Sequence, residues 1–341
     1  MKREADFSQM LKALRGERPD RPVFFEFIVD PKHHARVQEC DPHIPEGAEE
    51  ICRSWMKGMH ACGFDCSTLP IWAFGLGALS KPTRESQASV GMAHGGIIKS
   101  WQDFESYDWP DLDEDDWSVF EKLAPELPEG MKFMAHSHGG TLENLIELVG
   151  WEDLVFMMED EPDLAHALTD KIGSFLLDFY KRVVTMPGVG GCIINDDWGF
   201  RTQTFLSPAQ MEEFIFPWVR KKIQVIHQAG LPAILHSCGC LDSIWPEVLK
   251  FGLDGKHSWE DAILPIEQAY DRFHPELTLV GGIDLDYLCR ADPQDIYRRT
   301  KAMLQKTECR GWVAGSGNSI PSYVPFEGFN AMRRAVLEGW D

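Results

Sequence analysis

The sequence predicts one α/β domain over residues 1–341, folded as a (β/α)8 barrel of the TIM type with a β-hairpin inserted after the second strand. Three observations lead there. Short apolar runs recur along the chain, and most are followed by a helix-like stretch. The runs are continuous rather than alternating, which marks strands covered on both faces and so a parallel sheet. There are eight of them, the number that closes this kind of barrel. An open doubly wound sheet is the alternative, weakened because no G-x-G-x-x-G turn follows the first run.

In chain order, a charged, amphipathic N-terminal helix precedes the first strand, residues 21–29 (RPVFFEFIV). The second is 63–70 (GFDCSTLP). Residues 85–101 place two short strand-like runs on either side of His94-Gly95-Gly96, which reads as the inserted hairpin. An acidic connector, DLDEDDWSVFEKLAPELPEG, follows and reads as solvated surface. The remaining strands are 132–138, 191–197, 231–238, 252–259, 277–283 and 311–317. A long helix joins the fourth to the fifth, with Ser207 as N-cap, Pro208 in its first turn and Gly230 as its stop.

A length of 341 residues suits one α/β barrel. Apolar residues at 44% and charged residues at 26% are ordinary for a globular protein. The net charge of −21 repels phosphate backbones and anionic lipid, so no nucleic-acid or membrane partner is expected. Nine scattered cysteines suggest no disulfide framework. The first residues lack the apolar core of a signal peptide, and no stretch reaches the roughly 18 apolar residues of a membrane span. A cytoplasmic setting is expected.

Polar residues fall where the strands end, and in a parallel barrel those ends share one face. Glu26 lies late in the first strand and Asp65 in the second. His136 and His138 close the third, Asp196 and Asp197 the fourth, His236 and Cys238 the fifth, Lys256 and His257 the sixth. Asp284 follows the seventh, and Ser316 and Asn318 the eighth. Glu26, Asp65, His136, Asp197, His236, Cys238, His257 and Asn318 are therefore expected to line one cavity.

His236-Ser237-Cys238 is the sharpest local signal. Residues i and i+2 of a strand face the same way, and an imidazole beside a thiolate suits zinc. The competing reading is a capping or hydrogen-bonded histidine with Cys238 as small apolar filler. His136 and His138 share that spacing, as a metal pair, as groups lining a polar substrate, or as structural histidines. Asp196 and Asp197 point to opposite sides of their strand, so at most one faces inward. Either caps a loop or acts as acid, base or ligand. His257 carries the same two readings. Asp65 inside an apolar run is a costly buried carboxylate unless paired, and so a site candidate.

At these residues the chain resembles the uroporphyrinogen decarboxylase superfamily. The matching stretches are GFDCSTLP, GGTLENLIELVG, INDDWGFRTQTFLSPAQMEEFIFPWVRKKIQVIHQAG, LHSCG, VGGIDLDYL and GSGNSIPSYVPFEGF. The resemblance implies a (β/α)8 barrel and one of two chemistries. Decarboxylases of the family carry an arginine pair after the first strand; here FFEFIVDPKHHARV holds only Arg36. Asp65 matches their catalytic aspartate, but the expected tyrosine falls at about Leu145 and the expected histidine at about Asn318. These departures argue against tetrapyrrole decarboxylation.

The other branch moves methyl groups between a corrinoid and a thiol or folate. In its zinc-dependent members an H-x-C after the fifth strand and a cysteine after the eighth bind the metal. His236 and Cys238 match the first two ligands, and the third falls near Asn318. Glu26, on the strand that neighbours the eighth, is the expected replacement, with Cys240 a further thiol nearby. The resemblance implies catalytic or proton-moving roles for Asp65, Asp196, Asp197 and His257. It implies substrate-binding roles for His136, His138, Ser316 and Asn318. The methyl-corrinoid would come on a separate partner protein, because the chain has no D-x-H-x-x-G pattern. A carboxy-lyase acting on a tetrapyrrole or another acid is the alternative enzyme, and a metal or tetrapyrrole carrier the alternative without catalysis.

Overall fold

The computed structural model describes residues 3–41, 45–79 and 96–340. Among them, seven strands hydrogen-bond in chain order: β1 (Cys66–Thr68), β2 (Lys132–His136), β3 (Val189–Asn195), β4 (Ala233–His236), β5 (Gly255–His257), β6 (Thr278–Val280) and β7 (Trp312–Val313). Every neighbouring pair is parallel. Each strand overlaps one of the second to eighth expected runs, β3 starting two residues before its run, and helices cross between most of them, as parallel pairing requires. The sheet curls as a (β/α) barrel.

The first expected strand is different. Residues 21–29 form no regular ladder, only isolated parallel bridges, Phe24 to Ala314 and Val29 to Ile320. Across the other side, the Thr68 hydroxyl donates to the Phe27 carbonyl at 2.7 Å. The segment thus lies between β7 and β1 and joins the two edges. Its partners slip by one residue between the two bridges, so an extra residue bulges on the β7 side. Gly315 makes this possible, because a Cβ there would stand 2.1 Å from the Phe25 carbonyl oxygen.

Side chains alternate in and out along the strands. Met134, Ile193, Ile234, Val280 and Val313 point into the barrel and pack with Phe25, Phe27 and the helix Phe7–Leu14. That helix covers the N-terminal strand ends and leaves the C-terminal ends for chemistry. Phe133, Ile194, Leu235 and Leu279 point outward and pack with the helical layer. The long helix runs as Pro208–Gln210, a π-turn at Met211–Ile215 and then Phe216–Gln228. Ser207 accepts from the Gln210 amide, and Gly230 takes a left-handed φ of 74°, as expected. Pro217 has no N–H to give the preceding turn, which accounts for the π-turn there.

The expected hairpin falls mostly on residues outside those described. Its described end, residues 96–101, contains no strand, and the helix Trp101–Ser106 begins there. No described helix is long and apolar enough to cross a membrane.

Candidate metal centre at the barrel mouth

His236 is the last residue of β4, so its ring emerges at the C-terminal rim. Its Nε2 stands 3.8 Å from Cys238 Sγ and 3.8 Å from Asp197 Oδ1. Asp197 lies just past β3, where its Oδ1 accepts the Cys238 amide at 2.7 Å. One ligand atom from each of the three residues lies within 4.8 Å of the other two, the metal-capable cluster among the described residues. Ligand atoms on one tetrahedral zinc stand roughly 3.3–3.6 Å apart, from bonds of about 2.0–2.3 Å. The two contacts to His236 come close to that spacing. Burial, with the Asp197 charge second, pushes the Cys238 thiol up to about 12. A cation is therefore needed to hold it as thiolate at neutral pH. Nitrogen, sulfur and oxygen donors with this spacing fit zinc.

Four residues brace this cluster. His236 Nδ1 meets His257 Nδ1 at 2.7 Å, and the Phe27 ring lies 4.8 Å from His236, 5.0 Å from His136 and 6.1 Å from His257. The Asn318 amide donates to Cys238 Sγ at 3.1 Å. Ser258 Oγ lies 3.3 Å from the same sulfur. Ser258 adopts a left-handed φ of 79°, costly for a residue with a Cβ. Neighbours hold it there: Lys256 Nζ donates to the Ser258 carbonyl, and the Trp259 amide donates to the Gly317 carbonyl at 2.8 Å. Lys256 is buried against the Trp259 ring, and that burial lowers its pKa to about 8.

The expected replacement ligand needs correcting. Glu26 is buried with Oε1 accepting the Ser316 amide at 2.6 Å and Oε2 accepting the Ser316 hydroxyl at 2.6 Å. It sits at the strand slip and takes the amide that the irregular ladder leaves free. Asp197 is the oxygen donor beside His236 and Cys238. Ser316, expected to bind substrate, is fully buried and occupied by Glu26. It touches the cluster indirectly, its Oγ accepting at 3.4 Å from the backbone N–H of Asn318, whose side chain reaches Cys238.

Two expected catalytic carboxylates also move. Asp65 precedes β1 and lies at the N-terminal rim, away from the mouth. Its oxygens are taken by Arg21 at 2.7 Å, Arg3 at 3.0 Å and the Asp6 amide at 2.9 Å. It is paired, which removes the reason for reading it as catalytic. Asp196 is fully buried and accepts the amides of Thr141, Leu142 and Glu143 at 3.0 Å each. It plugs the positive end of the helix Thr141–Val149. His136, at the end of β2, faces the Leu69 and Ser137 carbonyls at 3.1 Å each. His138 is exposed on the next loop.

Beside the cluster a cavity of about 1010 Å³ opens along the ends of β5, β6 and β7. Arg201, Trp259, Glu260, Asp284, Tyr287 and Asn318 are among the residues that line it. Asn318 thus touches both the cavity and the Cys238 sulfur. Of these, sequence reasoning missed Arg201, Trp259, Glu260 and Tyr287 as lining residues, because no local pattern marks them; Tyr287 lies on the short helix Leu285–Arg290 and the others on loops. It also missed Ser258 and Phe27. Period 2 sets Phe27 on the face opposite Glu26, so reading Glu26 as facing the cavity turned the Phe27 ring outward.

Fold and mouth together define a parallel (β/α) barrel with a metal-capable cluster where its strands end. The chain belongs to the uroporphyrinogen decarboxylase family: the family model described as Uroporphyrinogen decarboxylase (URO-D) matches residues 98–339. Asp197, His236, Cys238, His257 and Asn318 lie inside that match, and Glu26 and Asp65 lie before it. The uroporphyrinogen decarboxylase of Myxococcus xanthus is 26% identical over 170 residues, 48% of this chain and 44% of that protein. That of Anaeromyxobacter sp. (strain Fw109-5) is 25% identical over 188 residues, 55% of this chain and 51% of that protein. The chain spans about half the length of these curated relatives. Among solved structures, a methyltransferase from Methanosarcina mazei superposes with a TM-score of 0.75 at 17% identity, covering 98% of this chain and 99% of that one. At that identity the likeness is one of fold.

Proposed function

We propose that this protein is a zinc-assisted methyltransferase. It would move a methyl group between a corrinoid on a partner protein and a small thiol, a tetrahydrofolate or a methylated substrate. The observation that carries this reading is the meeting of Asp197, His236 and Cys238 beside a large polar cavity at the strand ends. Zinc held there supplies the Lewis acidity that keeps a substrate thiol or oxygen deprotonated near neutral pH. His236 and Cys238 fix the ligand geometry from one strand end. Asp197 adds a partly exposed carboxylate, and the Asn318 amide spreads the sulfur's charge. Arg201, Glu260 and Tyr287 orient the substrate in the cavity. Metal content and methyl transfer from methylcobalamin to thiols and tetrahydrofolate test the proposal. Cys238→Ala is expected to remove most bound zinc and the activity, with the circular dichroism of the fold unchanged. Zinc that stays substoichiometric after zinc-replete growth, with turnover indifferent to chelators, overturns it.

Family membership favours a second reading, a carboxy-lyase. It would have to work without Asp65, and it would release carbon dioxide with neither metal nor corrinoid present. Those two dependences separate the readings.

A further inference from the structure

We infer that His257 is a positioning residue which sets the metal-binding face of His236 by exchanging tautomers with it. The inference rests on the proposed metal centre at Asp197, His236 and Cys238. His236 and His257 are both buried, on the neighbouring strand ends of β4 and β5, and are directly paired in register. Their Nδ1 atoms stand 2.7 Å apart, which leaves room for a single proton between them. A metal takes a neutral imidazole, and a His236 Nδ1–H that donates across the 2.7 Å gap needs a neutral ring as its acceptor. The pair therefore carries two ring protons on four nitrogens.

Two arrangements satisfy that count. In one, His257 Nδ1–H donates to His236 Nδ1, and the remaining proton sits on His236 Nε2, facing Asp197 and Cys238. That nitrogen then has no lone pair for a metal. In the other, His236 Nδ1–H donates to His257 Nδ1, and His236 Nε2 offers its lone pair to the cluster. The second proton then sits on His257 Nε2, a buried atom with no hydrogen-bond partner among the described residues. Going from the first arrangement to the second leaves both rings neutral and the proton total unchanged. Metal-binding histidines commonly donate their other ring N–H to an acceptor that fixes tautomer and orientation. Here that acceptor is a second imidazole rather than a carboxylate. Phe25 lies edge-on to His257 at 5.5 Å, and a Cβ on Gly281 would stand 3.3 Å from His257 Nε2. The ring therefore has little room to turn away from His236. His257 is not among the residues that line the cavity, so its effect on the centre runs through His236.

The test is zinc affinity, measured by competition with a chromogenic chelator on wild type, His257→Phe and His257→Asn. Phenylalanine keeps most of the ring volume and removes the acceptor, so affinity is expected to fall about 10–100-fold. Asparagine offers an amide oxygen near the position of Nδ1 and is expected to restore affinity to within several-fold of wild type. A phenylalanine variant with wild-type affinity overturns the inference alone, as does an asparagine variant no better than phenylalanine. Wild type that binds no zinc overturns both the inference and the metal reading beneath it. ¹⁵N NMR of the histidines in zinc-loaded wild type gives a readout free of any variant's folding. The expected spectrum has His236 protonated on Nδ1 and His257 on Nε2. A proton found on His257 Nδ1 overturns the inference.

Discussion

Glu26 is buried at the seam, and its two oxygens are held by the amide and hydroxyl of one serine. Burial raises its pKa to about 8, against the lowering pull of Ser316. An ordinary glutamate titrates near 4.5. A carboxyl whose folded pKa is raised stabilises the fold fully below its unfolded pKa, and that contribution is lost as pH rises through the folded pKa. Glutamine is neutral at every pH and keeps the shape. Glu26→Gln is therefore expected to gain on wild type as pH rises from about 5 to 9, read as the difference in urea midpoints. A difference that stays constant over that range contradicts the buried, protonated carboxyl. The same residue shows what a local pattern reveals. His236 and Cys238 are legible because period 2 alone places them together. The choice of Asp197 over Glu26 is not, since it depends on a one-residue slip against a segment 290 residues away. Asp65 misleads for a similar reason: its arginine partners lie 62 and 44 residues off in sequence, so its cost looks unmet.

The helix Thr141–Val149 has no side-chain cap of its own at Gly140. Asp196, from the end of β3, supplies the missing acceptor to three amides. A Cβ on Gly140 would stand 2.1 Å from Asp196, so glycine is what lets the carboxylate reach the helix end. Lys222 lies fully buried nearby, its Nζ 3.2 Å from the Thr141 hydroxyl, and its charge opposes that of Asp196. Asp196→Ala would strip the helix end and leave Lys222 without that counter-charge. A cost of about 3–5 kcal/mol is expected, the usual range for breaking a buried pair, measured by chemical denaturation. A loss under about 1 kcal/mol would place the carboxylate in chemistry rather than in support. Seven strands were legible because their apolar runs are short, continuous and followed by helix-like stretches. The first run looked the same. Its failure to form a ladder follows from where it must fit, between β7 and β1 with the register slipping, and a run's own composition cannot show that.

At the scale of the molecule, the polar mouth and the apolar floor are set by one asymmetry. The helix Phe7–Leu14 fills one end with Phe7, Met10 and Leu14, and the loops of β3 to β7 furnish the other. The seam adds a matter of timing. Glu26 and Ser316 bond across 290 residues, and synthesis runs at roughly 5–20 residues per second, so about 15–60 s separate their appearance on the ribosome. Throughout that interval the segment 21–29 lacks β7 on one side, and an unpaired strand edge invites other chains. A chain cut before Trp312 is expected to lose cooperative unfolding and to aggregate, as seen by light scattering and a broadened denaturation curve. A sharp transition from that fragment would mean the seam is dispensable. If it is not, the nascent protein spends most of its birth as an open crescent, and a chaperone that shields exposed edges would find its longest-lived target in the stretch around Phe24–Val29.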